Sequence, residues 1–181
     1  MSTYVALLRG INLGKRRLKM DELRRAFADW GFANPATLLA SGNVVFDAQE
    51  SDPEAVRAAV ESGMQSSFGF KAPTVIRTAS QIDALVAADP TQGVEVSKDT
   101  KLHVTFLDDP LKVEIVLPFE STEPDFKVRK IDDLHLFNIV VLGPSTGSVD
   151  LMSWLDKNFG DGATTRTWNT VLKIHAKLED A

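Results

Sequence analysis

The stretch with the clearest chemical potential is a basic loop near the start of the chain. Gly10 and a second glycine four positions later flank the triplet Ile-Asn-Leu, whose centre is the polar Asn12, and Lys15 and Arg16 follow directly. Such a loop can turn main-chain N–H groups toward an anion, with charge from Arg9, Lys15 and Arg16. The glycine spacing matches neither a Walker loop nor a dinucleotide fingerprint. Two interpretations stay open: an anion site, or a glycine turn followed by a solvated basic run.

A second polar stretch is Ser41-Gly42-Asn43, which lies between two short apolar segments. Its first interpretation is a hairpin turn, because glycine and asparagine tolerate positive φ. The functional alternative is that Ser41 and Asn43 line the end of a strand beside the basic loop. In that case Asn43 would orient a ligand through a hydrogen bond.

The third stretch runs from Thr164 to Thr170. Thr167 is a plausible N-cap, with Trp168 at the start of a helix and Thr170 in its first turn. Arg166 precedes that helix, at an expected surface position where the helix dipole repels a cation. An anion between Arg166 and the helix N–H groups would remove the conflict. The alternative is that Trp168 belongs to the core and Arg166 pairs with an acidic neighbour.

Metal and cofactor chemistry is not expected. The chain has no cysteine, which excludes disulfides, thiolate catalysis and Cys-based zinc sites. The histidines show no ligand spacing and are expected to be packed or hydrogen-bonded, and the paired aspartates fall at predicted turns. These residues are His103, His135, His175, Asp108, Asp109, Asp132 and Asp133.

The distribution of charge is more informative than its sum. The net charge is −5, from 20 basic and 25 acidic residues. The segment from Arg9 to Arg25 holds seven basic and two acidic residues, so it carries +5 and the remainder −10. Tight coating of duplex nucleic acid is therefore not expected. The N-terminus lacks the features of a signal peptide and the apolar runs are too short to span a bilayer, so the cytoplasm is the expected location.

The elements that must position these stretches follow from hydrophobic periodicity. The first half predicts the order βαββαβ, the ferredoxin-like pattern. It includes a strand at 37–40, a turn at 41–43, and a helix whose apolar face is Met20, Leu23, Phe27 and Trp30. The second half partly repeats this order and ends in two helices. The prediction is an α+β fold of two ferredoxin-like halves with antiparallel sheets, residues 1–78 and 79–181.

Three pieces of the sequence, YVALLRGINLG, LASGNVVF and TTRTWNTV, together resemble the bacterial domain-of-unknown-function family 1697. The resemblance extends over nearly the whole chain. It implies an α+β protein of two ferredoxin-like halves, usually a stand-alone cytosolic chain, and it implies no established activity. Thr167 stands where the family usually has asparagine.

The resulting functional hypothesis is binding of a phosphorylated small molecule or a nucleotide-like anion, with no membrane partner. One alternative is an enzyme acting on such a ligand, with Ser41 or Thr170 near the reacting group, although the three stretches contain no evident general base. Another is a protein-assembly module that uses an exposed sheet edge. The oligomeric state stays open. The residues expected to border the ligand are Arg9, Gly10, Asn12, Lys15, Arg16, Ser41, Gly42, Asn43, Arg166, Trp168, Asn169 and Thr170.

Overall fold

The computed structural model describes residues 1–12, 14, 17–110, 116–121, 126–141 and 149–180, the side chains of 149 and 150 excepted. These residues form two antiparallel sheets and five α-helices, which confirms the predicted α+β class. No helix among them is long and apolar enough to cross a membrane. The chain divides into two compact units, one made of Met1–Asp83 with Lys173–Ala181 and the other of Ala84–Leu172.

The first unit contains a four-stranded sheet in the order β2-β3-β1-β4, in which all neighbours are antiparallel. The element order βαββαβ is the predicted one. The elements are β1 (Ser2–Leu8), α1 (Met20–Asp29), β2 (Ala33–Leu38), β3 (Asn43–Ala48), α2 (Pro53–Phe68) and β4 (Thr74–Thr78).

The predicted strand at 37–40 is wrong in both bounds. β2 begins at Ala33 and ends at Leu38. Leu39 has φ +57, the left-handed conformation, which breaks the extended backbone. The turn therefore begins at Leu39, and Asn43 belongs to β3 rather than to the turn.

The core of the first unit fixes α1 against the sheet. Leu23 and Phe27 are fully buried, and Met20 and Trp30 pack at its margin, which confirms the predicted helix face. The Phe27 ring meets Phe46 of β3 edge-on at a centroid distance of 5.2 Å. The packing of Leu23 and Phe27, roughly one and two turns after the first residue of α1, therefore holds the N-terminus of this helix in place.

The remaining elements include a five-stranded sheet in the order β6-β7-β8-β5-β9, in which all neighbours are again antiparallel. They are α3 (Ala79–Ala87), β5 (Thr100–Leu107), β6 (Phe119–Glu120), β7 (Phe126–Lys130), β8 (His135–Val141), α4 (Val149–Phe159), a 3₁₀ turn (Gly160–Gly162), β9 (Ala163–Thr167) and α5 (Trp168–Glu179). Residues 111–117 alternate in hydrophobicity, but a short helix there would complete a second βαββαβ order; most of this segment lies outside the described residues, so the ferredoxin-like description of this half stays a prediction.

Strand β9 was not expected. Residues 163–167 read ATTRT, with no apolar alternation, yet they pair with β5 over five positions. Of these residues Ala163, Thr164 and Arg166 are buried. A strand can be held by its ladder of main-chain hydrogen bonds even when its side chains are polar, and threonine suits the extended backbone.

Candidate functional site

The basic loop begins where β1 ends, and two main-chain hydrogen bonds fix its first residues. The Leu8 N–H donates to the Gly42 carbonyl and the Arg9 N–H donates to the Pro73 carbonyl, each at 2.8 Å. Gly10 has φ +69, a conformation that side-chain-bearing residues adopt only with strain. The loop is therefore tied to the turn between β2 and β3 on one side and to the start of β4 on the other.

Gly42 brings the turn into direct contact with the loop. Its φ is +78, and a Cβ there would lie 2.9 Å from Ile11 Cδ1 and 3.2 Å from Leu8 Cβ. Both the backbone conformation and the close approach therefore require glycine. Gly42 is buried, whereas Ser41 beside it is exposed.

Asn12 links the loop to the turn a second time. Its Nδ2 donates to the Ala40 carbonyl at 2.9 Å and to the Leu18 carbonyl at 3.3 Å, and its Oδ1 accepts from the Leu18 N–H at 2.7 Å. Both amino hydrogens of Asn12 are thus used by main-chain oxygens. The side chain that was expected to orient a ligand holds the loop closed on itself and against the turn.

Asn43 has a comparable local role. It is fully buried, and its Nδ2 donates to the Leu38 carbonyl at 2.9 Å and to Ser41 Oγ at 3.0 Å. These bonds span the ends of the turn and stabilise it. The basic loop after β1 and the turn between β2 and β3 are therefore joined into one substructure, which we call the loop–turn element.

A pocket of about 440 Å³ opens beside the loop–turn element. The described residues that line it are Asn12, Arg17, Leu18, Lys19 and Ala40. Two of the five carry positive charge and none carries negative charge. Arg17 and Lys19 are exposed, whereas Leu18 is buried. The exposed side of the lining, which we call its rim, therefore carries both cations.

The cations that line the pocket differ from those expected. Lys15 and Arg16 lie outside the described residues, whereas Arg17 and Lys19 were treated only as part of the basic island. Arg17 Nη1 donates to the Gly14 carbonyl at 2.9 Å, which holds the guanidinium against the loop. The charge run in the sequence signals the island, but it does not show which of its members face a pocket.

Lys19 is also the N-cap residue of α1. It has extended backbone angles (φ −74, ψ 138), and no side chain caps the helix there. Its carbonyl accepts the first intrahelical bond, from the Leu23 N–H at 3.1 Å. Asp21 and Glu22 occupy the first turn, and Arg24 Nε lies 3.9 Å from Asp21 Oδ1. A lysine at an N-cap is unfavourable for the helix, because it supplies no acceptor and repels the dipole.

A family model for proteins of unknown function, DUF1697, matches residues 1–137. The chain belongs to this family. The DUF1697 match includes the basic loop, the turn and the pocket, and it ends before β9. No curated protein matches the chain significantly.

The fold is also similar to that of a solved structure. This structure, described as a conserved bacterial protein from Streptococcus pneumoniae, has a TM-score of 0.77 with 21% sequence identity, and the similarity covers 99% of each chain. At that identity the likeness shows the fold alone.

The third stretch, beyond the DUF1697 match, lies in the second unit, and there Arg166 differs from expectation. It is 8% exposed on β9 rather than at the surface. Its Nη1 donates to Thr164 Oγ1 at 2.8 Å and to the Thr165 carbonyl at 3.0 Å. Burial lowers the pKa of Arg166 to about 10. Arg166 is therefore a buried residue of a strand and not a surface residue of a loop. Its guanidinium bonds to Thr164 and Thr165 of the same strand.

The start of α5 is as predicted. Thr167 Oγ1 accepts from the Thr170 N–H at 3.2 Å, which confirms the N-cap. The half-buried Trp168 ring meets Phe137 edge-on at 6.3 Å, and Asn169 is exposed. The expected contribution of these residues and of Arg166 to ligand binding stays a prediction.

Among the described residues, no group of three or more metal-ligating side chains could hold a metal ion. His135 is packed and hydrogen-bonded, as expected: its Nδ1 lies 2.8 Å from Asp132 Oδ2 and its ring meets Phe106 edge-on at 5.2 Å. Burial of Asp132 acts to raise its pKa, but the hydrogen bonds from His135 and the Leu134 N–H outweigh it, and the pKa is lowered overall.

Proposed function

We propose that this DUF1697 protein binds a phosphorylated small molecule or a nucleotide-like anion in the pocket beside α1. One observation carries the proposal: Lys19 lines the pocket and is at the same time the N-cap residue of a helix with no side-chain cap. An anion in the pocket would receive the N–H groups of the first turn and the charge of Lys19 together.

Binding of an anion offsets what is unfavourable about this helix end. The four N–H groups of the first turn lack intrahelical acceptors, and phosphate oxygens are strong acceptors. Arg17 adds a second cation on the rim. The carboxylates of Asp21 and Glu22 oppose an anion, but Arg24 lies near the first of them and weakens that opposition.

The lining favours binding over catalysis. The five described lining residues include no histidine, carboxylate or hydroxyl that could act as a base or nucleophile. The alternative is an enzyme with Ser41 or Thr170 near the reacting group. Ser41 follows Ala40 of the lining, and the Oγ of Ser41 accepts a hydrogen bond from Asn43.

The proposal is tested by a ¹⁵N–¹H NMR titration of the full chain with AMP and with inorganic phosphate at constant ionic strength. We expect shifts concentrated at Asn12, residues 17–20 and Ala40. Lys19→Gln should weaken binding roughly tenfold, the loss of one charge-assisted contact of about 1.4 kcal/mol. Lys71→Gln, an exposed lysine of the same unit, is the matched control and should leave the affinity unchanged. Equal shifts with chloride, or shifts spread over the surface, would contradict the proposal.

A further inference from the structure

The pocket beside the loop–turn element is larger than a phosphate group needs, and its lining indicates what else the ligand carries. This inference rests on the function proposed above and narrows the class of ligand. A volume of about 440 Å³ lies within the range of about 300–1,000 Å³ that is usual for whole small-molecule ligands. A phosphate group is much smaller, so most of the pocket is left for the organic part of the ligand.

The neutral polar groups of the lining are largely engaged within the protein. Asn12 is bonded at both ends of its side-chain amide, to the Ala40 carbonyl and to the main chain of Leu18. The Lys19 carbonyl accepts from the Leu23 N–H. The carbonyl oxygens of Leu18, Lys19 and Ala40 therefore each accept a hydrogen bond already. What the described lining offers a ligand is chiefly positive charge and apolar surface.

The apolar surface comes from most of the described lining residues. Leu18 and Ala40 have hydrocarbon side chains, and Arg17 and Lys19 have aliphatic stems that can lie against a ligand while their charged ends stay in water. A sugar is a poor match for this surface. Each sugar hydroxyl has a hydrogen to donate, and the described lining residues have neither a carboxylate nor a hydroxyl to accept it. An apolar group needs no such acceptor and gains by leaving water.

Arg17 favours a flat aromatic ring in particular. Its Nη1 donates to the Gly14 carbonyl at 2.9 Å, which restricts the guanidinium at the rim of the pocket. A guanidinium is planar and weakly hydrated, and it stacks on the face of an aromatic ring. No aromatic residue is among the described lining residues, so the ring in such a contact would belong to the ligand.

We propose that the ligand is a phosphate monoester whose organic part is an aromatic ring, with no sugar between the ring and the phosphate. The phosphate bonds Lys19 and the N–H groups of the first turn of α1. The ring lies over Leu18 and Ala40, with the guanidinium of Arg17 against its face. Both cations and the apolar surface of the lining are then used. Aryl phosphates carry the charge and the apolar ring together, whereas sugar phosphates carry only the charge.

The test compares phenyl phosphate with ribose 5-phosphate. At a pH of about 7.5 both are almost entirely dianions, because the second pKa of a phosphate monoester is about 6, so they differ in the organic part alone. In ¹⁵N–¹H NMR titrations of the full chain at constant ionic strength, phenyl phosphate should bind roughly tenfold more tightly, the gain from covering about 55 Å² of apolar surface. Equal affinities would overturn this inference and leave the proposed function intact. If neither ester nor inorganic phosphate bound, both would be wrong.

Two variants and one contact measurement locate the ring. Leu18→Ala should reduce the preference for phenyl phosphate over ribose 5-phosphate roughly threefold, and Leu18→Met, which keeps the apolar volume, should retain it. The main-chain groups of Leu18 that bond Asn12 are the same in both variants. A filtered NOESY spectrum of the parent protein should show contacts from the phenyl protons to the methyl groups of Leu18 and Ala40, whatever the stability of the variants. Binding of phenyl phosphate without these contacts would place the ring elsewhere, and the inference would be wrong.

Discussion

The N-termini of α1 and α2 are capped in opposite ways. At α2, Asp52 Oδ1 accepts from the Glu54 N–H at 3.1 Å, and Pro53 occupies the first helical position, where its missing N–H is no loss. At α1, Lys19 occupies the N-cap position and no side chain accepts from the first turn. The two helices lie in the same unit, and both pack on the same sheet through buried apolar faces.

The two helix ends differ in what can accept hydrogen bonds from the N–H groups of the first turn. The end of α2 is completed by its own residues, as is that of α5, where Thr167 accepts from the Thr170 N–H. The end of α1 lies at a pocket with a cationic rim, and its sequence is poor for stability alone. We interpret the N-terminus of α1 as a helix end that an external anion completes.

The largest expected effect concerns the packing that holds α1 in place. Phe27→Ala should destabilise the protein by about 3–5 kcal/mol, because it empties a fully buried ring position among Trp30, Phe32 and Phe46. Arg25→Ala, an exposed position of the same helix, is the control and should change stability by less than about 0.5 kcal/mol. Urea unfolding measures both. Similar midpoints for the two variants would mean that α1 is not anchored through Phe27.

The next effect concerns the contact between the turn and the basic loop. Gly42 and Gly69 have nearly the same φ, +78 and +75, but a Cβ at Gly69 meets nothing within 4 Å. Gly69→Ala should therefore cost only the backbone strain, of order 1 kcal/mol. Gly42→Ala should cost about 1–3 kcal/mol more, because the added methyl overpacks against Ile11 and Leu8. Equal losses in thermal unfolding would show that the loop and the turn are not in close contact.

Much of this frame could be predicted from the sequence. The βαββαβ order, the apolar face of α1 and the cap of α5 follow from local periodicity and from residue types at helix ends. Pro73, directly before β4, also agrees with the edge position of that strand in the sheet. These features depend on residues near one another in the chain, and local patterns determine them.

The parts that escaped prediction depend on distant partners. Strand β9 has no apolar alternation, and its existence rests on pairing with β5, about 60 positions earlier. Asn12 was chosen as a ligand contact, but its amide bonds the Ala40 carbonyl, which no local pattern reveals.

A smaller effect is expected at the cap of α2. Asp52→Ala should destabilise the protein by about 1 kcal/mol, because the Glu54 N–H loses its acceptor and the helix dipole loses a favourable charge. Phosphate should stabilise this variant by the same increment as the parent, since the α2 end is not part of the pocket. Differential scanning fluorimetry with and without phosphate checks both statements. If phosphate no longer stabilised the Asp52→Ala variant, the anion site would have to lie at the end of α2 and not at α1.

The smallest expected effect is on duplex DNA. The basic island of +5 is set in a chain that otherwise carries −10, so non-specific duplex binding at physiological salt should be undetectable or very weak. Fluorescence anisotropy with a labelled duplex measures this. Strong, sequence-independent binding would show that the island acts on nucleic-acid backbones rather than on a small anion in the pocket.

The central claim is tested most directly by the variant Lys19→Ser, with thermal unfolding measured with and without phosphate. Without phosphate, serine should supply the missing cap and raise stability by up to about 1 kcal/mol. With phosphate in hundredfold excess over its Kd, the parent should gain about 2.7 kcal/mol, and the variant should gain much less. Lys71→Ser, a matched exposed lysine, should respond like the parent. A Lys19→Ser variant that is no more stable than the parent and responds equally to phosphate would contradict the account.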